Sequence, residues 1–425
     1  MTYGAGTYGA GSHLSQATHG GRGHAAPATT DVVVVGAGPA GAATAILLAE
    51  RGLSVLVLDR AALPRPKICG EYVSPEAVGI LDRLGILKSL DAAGAVPLAG
   101  MRITAPDGTT LLGSYGALGA WRPYRGHALA VSRATLDGAL VERLRALPID
   151  LRERVRVTGL LVEGGAVVGV TALDAEHGVV TFRAPLVVAA DGRHSVVAER
   201  LGLRAPHRLR RMALVTYVAG LPDCRGLGEI FLDPPDYAIL NPLAPDRANL
   251  SVVVPLAHAA PWAARLETFL AARVRQMPHL ARRLAGARYQ SPVRAMGPLA
   301  YRVRPPGVGG VILVGDASGF YDPFTGEGIL GALRSAELAA AAAVRAVSAR
   351  DCSARALAAY ARARRRAFHG KERVTRAVQL LIGHRRLANL AAHVLARRPQ
   401  LLDLLLGVLG DYVPPGALLR GLRAR

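Results

Sequence analysis

Three glycines at Gly36, Gly38 and Gly41 stand in the order GxGxxG. The chemistry of that spacing is anion binding. Gly36 permits a tight turn, Gly38 lets a pyrophosphate approach the backbone, and Gly41 lets a helix pack closely on a strand. Pro39 and Ala40 open that helix, whose free N–H groups and dipole face the phosphates. Asp59, with Arg60 beside it, lies 23 residues beyond Gly36, where a carboxylate accepts hydrogen bonds from an adenosine ribose. No catalytic acid or base is specified by spacing; Tyr72, His127 and Tyr237 are candidates for contact with a substrate. Cys69, Cys224 and Cys352 are far apart, with no CxxC and no clustered His/Cys set, so neither a zinc site nor a disulfide framework is expected.

These residues need elements to hold them. Val32 to Ala49 carries no charge, but a membrane span needs an unbroken helix of about 20 apolar residues, and Gly36, Gly38, Pro39 and Gly41 interrupt this one. Val32–Val35 suits a buried parallel strand, Ala42, Ala43, Ile46, Leu47 and Ala49 suit a helix ending near Gly52, and Ser54–Leu58 suits a second strand. That is a βαβ unit. Further on, one helix is expected over 76–90 and another over 131–147. Hairpins are expected at Asp107-Gly108, Gly164-Gly165 and His177-Gly178. Strands of a second sheet are expected over 208–260, and helices after about 345. Strands at 32–35, 54–58, 186–190 and 311–314 each end at a Gly/Asp-rich turn. In an open parallel sheet such turns gather at the carboxyl edge, where ligands bind.

The expected fold class is α/β, with a discontinuous Rossmann-type domain over 31–75, 128–200 and 295–345. An antiparallel-sheet substrate domain over 76–127 and 201–294, a helical segment over 346–425 and a disordered tail over 1–30 complete it. At 425 residues and 51% hydrophobic, the chain can bury more than one core. Residues 1–30 lack the apolar core of a signal peptide, and the scattered cysteines fit a cytoplasmic setting. The net charge is +21, and only Lys67, Lys88 and Lys371 among 52 basic residues are lysine. Abundant Ala, Arg and Gly point to a GC-rich coding bias, and with no nucleic-acid motif no such partner is expected.

Together, GAGPAG (36–41), VVAADGRHS (187–195) and VILVGDASGFYDPFTGEGI (311–329) resemble the three signatures of FAD-dependent enzymes of the aromatic-hydroxylase and geranylgeranyl-reductase superfamily. VSRATLD (131–137) resembles the helix that carries an FAD-contacting arginine in that superfamily. The resemblance covers roughly 31–345. It implies FAD as cofactor and NAD(P)H as co-substrate. Gly36, Gly38 and Gly41 would take the pyrophosphate, Asp59 the adenosine ribose and Arg133 the phosphate and ribose region. Asp191 and Gly192 match an Asp-Gly pair attributed to FAD, although Asp191 also suits a helix cap. Gly315-Asp316 matches the acid on the ribityl chain. Gly326, Gly328 and Ile329 match backbone beside the isoalloxazine, where a helix start stabilises negative charge.

The details divide among reactions. PRPKICGEYVSP and DPFTGEG resemble the reductase branch, a resemblance that would set Cys69 at the reactive ring as a catalytic thiol, with neighbouring Lys67 suggesting thiolate activation. Against that, Ile239 and Asn241 stand where a Tyr-x-Trp-x-Phe-Pro strand of isoprenoid reductases has aromatics. Halogenases usually carry serines at the positions of Gly326 and Glu327. The sequence reading therefore places an NAD(P)H-dependent monooxygenase of a lipophilic phenolic or polyketide-like molecule first. Reduction of carbon–carbon double bonds in an isoprenoid or lipid comes second, and a halogenase third. Beyond residue 345, leucine periodicity with Arg364, Arg365, Arg366, Lys371, Arg373, Arg385, Arg386, Arg397 and Arg398 leaves two expectations. One is a helical cap over the other domains; the other is a peripheral contact with an anionic membrane.

Overall fold

The computed structural model describes residues 30–322, 324 and 326–418. Apart from Thr30, the tail expected over 1–30 lies outside the described residues. Val32–Val35, short and β-branched, is buried between Leu186–Ala189 and Val55–Leu58. Val311–Leu313 and Ile149–Arg152 complete a five-stranded parallel sheet from its two edges. The 149–152 strand was not expected, because Ile149 and Leu151 alternate over only four residues, too few to register as a period.

Helix α1 (Pro39–Ala49) starts at the glycine turn, with Pro39 in its first turn, where a missing N–H costs nothing. Helix α2 (Arg133–Arg145) is capped by Ser132, whose hydroxyl accepts the Thr135 N–H. Helix α3 (Glu327–Ser348) packs on α1, with Ala42, Ala43, Ala336, Ala339 and Ala340 fully buried among their core neighbours. Small side chains there let the two helices come close. Residues 75–92 form two helices, Pro75–Arg83 and Leu87–Ala92, rather than one, because Gly85 between them takes φ +76°. Ile80, Leu81 and Leu87 of this segment join the core of the parallel sheet, although it was expected in the substrate domain.

A second, larger sheet stands apart from the first. Its centre is the antiparallel run Arg211–Ala219, Arg247–Pro255, Asp236–Ala244, Gly226–Asp233, which Val96–Thr104 extends in parallel. Tyr72–Val73 and Ala128–Ala130 close its edge, so these short pieces belong to this sheet and not to the parallel one. Alternation along the strands gives it two apolar faces. Leu214, Leu240, Leu250 and Val252 pack with helix Leu266–Gln276. Ala213, Val215, Ile230 and Val253 face the other way.

Three C-terminal helices lie over this second face: α4 (Ala354–Ile382), α5 (Arg385–Ala396) and α6 (Pro399–Leu409). Helix α6 rests on strand Thr110–Ser114, where Gly113 makes room: a Cβ there would come within 2.5 Å of Leu406 Cδ1. Asp403 of α6 accepts the Ser114 N–H at 2.7 Å, and Arg385 of α5 pairs with Asp233 at 2.7 Å. Among the described residues no helix is long and apolar enough to cross a membrane.

Candidate active site

One cavity is lined by residues from all three parts of the chain. Gly38, Pro39, Ala40, Arg133, Asp191, Gly192 and Asp316 come from the edge of the parallel sheet. Lys67, Cys69, Glu71, Tyr72, Gly326, Gly328 and Ile329 form a middle zone. Aliphatic side chains such as Val215, Ile239, Val253, Ala392, Leu402 and Leu406 supply the rest, from the large sheet and the C-terminal helices.

The glycine turn fits a dinucleotide. A Cβ on Gly36, which has φ +97°, would lie 2.7 Å from Ala190 O, and one on Gly41 would lie 1.8 Å from Gly36 O. Neither position admits a side chain. Gly38 differs: no atom lies within 4 Å of where its Cβ would be. It is the N-cap of α1 and brings no side-chain cap, so the N–H groups of the first turn face open space on the cavity wall. Asp191 Oδ2 accepts the Val196 N–H at 2.7 Å, capping the next helix, while Asp191 Oδ1 is buried without a partner. A buried acceptor left over at a cavity wall matches a ligand that donates to it. Burial pushes the Asp191 and Asp316 carboxyls upward, and Lys67, Arg133 and Arg193 oppose the shift at Asp316.

Arg133 is buried on the wall with its guanidinium held by Asp137, at 2.8 Å through Nε and 2.7 Å through Nη2. Burial, the largest single influence, opposes its charge, but Asp137 together with Cys69 more than offsets it and keeps the guanidinium protonated. Gly315 is buried beneath the site, its N–H donating to Ser335 Oγ at 2.8 Å. Gly326 takes φ +66°, and a Cβ there would sit 2.4 Å from the Tyr72 ring. Tyr72 thus packs against the turn before α3, and its hydroxyl lies 2.6 Å from that of Tyr115.

Gly36, Gly41 and Gly315 shape the site from behind its wall, and four expected residues that carry side chains are not on the wall either. Asp59 is buried and braces the glycine turn: it accepts the Ala37 N–H at 2.9 Å and the Ala61 N–H at 3.0 Å, and pairs with Arg65 at 3.3 Å. Arg60 is exposed. His127 is partly buried outside the cavity, with Nδ1 3.1 Å from Ala128 O. Tyr237 is buried behind the wall. Its hydroxyl donates to Asp322 at 2.7 Å, and its ring stands edge-on to Phe324, which does line the cavity.

The loop carrying Cys69 is clamped by residues the sequence reading did not single out for this role. Asn241 Nδ2 donates to Gly70 O at 2.7 Å and Asn249 Nδ2 to Cys69 O at 3.0 Å. Glu71, buried at φ +57°, accepts the Arg133 N–H at 3.0 Å, the Tyr217 hydroxyl at 2.8 Å and Asn249 Nδ2 at 3.2 Å. The one available signal was an acid two residues after Cys69, in a loop whose other charges, Arg65 and Lys67, are basic. Cys69 Sγ accepts the Glu71 N–H at 3.3 Å. Burial pushes its thiol up, and the nearby Arg133 only partly offsets this. Lys67 is itself pushed down, by burial first and then by Arg65 and Arg133. Cys69 therefore stands as a neutral S–H and not as the thiolate that Lys67 suggested.

Residues 29–375 match the family described as an FAD binding domain. The chain belongs to that family and is an FAD-dependent oxidoreductase, with the FAD-enzyme superfamily resemblance and the mixed α/β class both upheld. Its relatives point to more than one reaction. It is 30% identical to a digeranylgeranylglycerophospholipid reductase of Methanosarcina mazei, over 76% of this chain and 77% of that one. It is 36% identical to a 6-methylpretetramide 4-monooxygenase of Streptomyces rimosus, but over only 41% of each chain. A match to conditioned medium factor receptor 1 of Dictyostelium discoideum, 29% identical over 78% of this chain, spans 66% of that relative. Among solved structures it resembles a flavin-dependent halogenase at 25% identity, with a TM-score of 0.73, over 82% of this chain and 64% of that one. A geranylgeranyl bacteriochlorophyll reductase-like protein from Thermoplasma acidophilum shares the fold, at 23% identity and TM-score 0.72 over 93% and 96% of the two chains.

Proposed function

We propose that the chain reduces a carbon–carbon double bond of a lipophilic, isoprenoid-like substrate, with NAD(P)H as the source of electrons. This reverses the order of the sequence reading, which put hydroxylation first. The observation that carries it is Cys69: a neutral thiol clamped on the wall of a cavity whose remaining lining is mostly aliphatic. Asn241 was one of two residues, with Ile239, that counted against a reductase. It holds the Gly70 carbonyl, so losing an aromatic there serves to keep the cysteine loop in place. A relative that matches over 77% of its length bears a reductase's name, while the monooxygenase matches over less than half.

The residues fit FAD: Gly38, Arg133, Asp191, Gly192 and Asp316 would hold it, and the turn at Gly326 would serve its reactive end. When bound, FAD supplies two-electron chemistry. The chain's part is to bind, dry and protonate. Reducing a double bond adds an electron pair with one hydrogen at one carbon and a proton at the other. Cys69 S–H is the proton donor we assign, recharged from solvent after turnover. The aliphatic wall excludes water, and the Tyr72–Tyr115 hydroxyl pair is a polar contact available to an oriented substrate.

Cys69→Ala tests the assignment. Turnover should fall by about two orders of magnitude, the usual worth of a positioned acid, with FAD content and melting temperature unchanged. Cys69→Ser should restore little, since an alcohol is a weaker acid. Unaltered turnover in Cys69→Ala would remove the donor role. Hydroxylation is the second reading, favoured by the partial match to a monooxygenase. A peripheral position at an anionic membrane belongs to the same proposal, because it would deliver a lipophilic substrate.

A further inference from the structure

Helix α5 has two apolar faces, and only one has a partner. On the inner side Ala388, Ala391, Ala392 and Leu395 line the cavity. On the outer side Leu387, Leu390 and Val394 are 37%, 61% and 44% exposed. Leu380 and Leu381, at the end of α4, are 61% and 38% exposed. Five of the eleven large apolar side chains exposed among the described residues thus fall between Leu380 and Val394, a concentration that single scattered side chains would not give. Leu381 belongs to both surfaces: it is exposed and it lines the cavity. The apolar surface is therefore continuous from outside into the site at the corner where α4 meets α5.

The chain segment that carries this patch has charge of one sign. From Arg373 to Leu402 the sequence holds six arginines and no aspartate or glutamate. Arg385 and His393 are exposed and pair with Asp233 and Asp107 from neighbouring elements. Arg386, Arg397 and Arg398 are exposed, and no hydrogen bond or ion pair of their side chains occurs among the described residues. A second copy of the chain is a poor occupant, since a two-fold contact would set this cationic face against itself. An anionic bilayer answers both features, with hydrocarbon for the leucines and phosphate for the arginines.

We propose that α5 seats the protein on an anionic membrane surface and that lipophilic substrate enters the cavity from that surface at the Leu381 corner. This rests on the lipophilic substrate class proposed above. The test uses FAD-loaded protein and vesicles of phosphatidylcholine with or without phosphatidylglycerol, with binding read by co-sedimentation. Wild type should bind only the anionic vesicles and release at high salt. Each basic residue near such a surface is worth about fivefold in partitioning, so Arg386→Gln with Arg397→Gln should weaken binding about 30-fold. Leu390→Glu should abolish it. All three positions are exposed, and FAD absorbance together with the melting temperature verifies that the variants fold. Wild type left in the supernatant at low salt, or variants that bind as wild type does, would overturn the proposal. So would a dimer that Leu390→Glu dissociates without any vesicle binding, which would make the face a self-interface. Vesicle binding without turnover of any lipophilic substrate would uphold the surface and remove the proposed reaction.

Discussion

Gly38→Val separates folding from cofactor binding. The open space around Gly38 means that a new Cβ meets no protein atom within 4 Å, and its backbone at φ −72° and ψ −179° is one any residue adopts. Two effects on the apoprotein oppose each other. Losing glycine freedom in the unfolded chain stabilises by about 0.4–1 kcal/mol. Replacing a tolerated N-cap by an aliphatic one costs about 0.5–1 kcal/mol. The apoprotein should therefore melt within about 2 °C of wild type. The same side chain fills the space the pyrophosphate needs. FAD at a hundredfold excess over its dissociation constant stabilises wild type by about 2.7 kcal/mol. At about 2 cal/mol/K of unfolding entropy per residue that is a rise of about 3 °C, and the variant should show none. Differential scanning fluorimetry with and without FAD, followed by absorbance after desalting, measures both. Gly41→Ala is the contrast: its Cβ would press on Gly36 O, so this variant should misfold. A yellow, FAD-saturated Gly38→Val would refute the cradle, and an unfolded one would refute the contact reasoning.

Cys69 should alkylate slowly near neutral pH. Burial raises its thiol pKa above the ordinary 9.0, so its reactive thiolate gains population only as pH climbs past that value; peptide mass spectrometry after iodoacetamide at stepped pH checks it, and a midpoint below 9.0 would contradict the neutral thiol. Arg133→Ala should cost about 3 kcal/mol, because it leaves Asp137 charged and buried without its partner. Adding Asp137→Ala should recover most of that stability in urea titration while FAD affinity stays low. Gly113→Val should cost about 1–3 kcal/mol by pressing on Leu402 and Leu406. Its clearest sign would be faster proteolysis within 385–409; an unchanged cleavage pattern would mean α6 does not depend on that packing.

Local signals were legible wherever chemistry and chain order coincide. The run from Val32 to Leu58 shows its strand, turn and helix through β-branching, glycine spacing and period, because each depends on near neighbours. What failed to show depends on distant partners. Val96–Thr104 joins Gly226–Asp233 in parallel across more than a hundred residues, and no local pattern announces that pairing. Asp59 was placed at the ribose because its distance from the glycines is right. Its carboxylate is instead taken up by the turn itself, through the Ala37 N–H. Tyr237 and His127 were chosen by residue type, and type does not say which way a ring faces. Glu71, Asn241 and Asn249 act only because three separate stretches meet at the cysteine loop. Leucine periodicity after residue 345 gave the helices, but only tertiary packing shows that α5 lines the cavity with one side and meets solvent with the other.

The most direct test of the account is a comparison with and without oxygen. FAD-loaded protein would be given NAD(P)H and a polyprenyl lipid bearing conjugated or isolated double bonds, in parallel anaerobic and aerobic reactions. Products would be read by mass spectrometry and oxygen uptake by electrode. Reduction predicts a product that gains two hydrogens per turnover in the absence of oxygen, with no oxygen uptake coupled to substrate. A product that forms only in air and carries one added oxygen atom would contradict it.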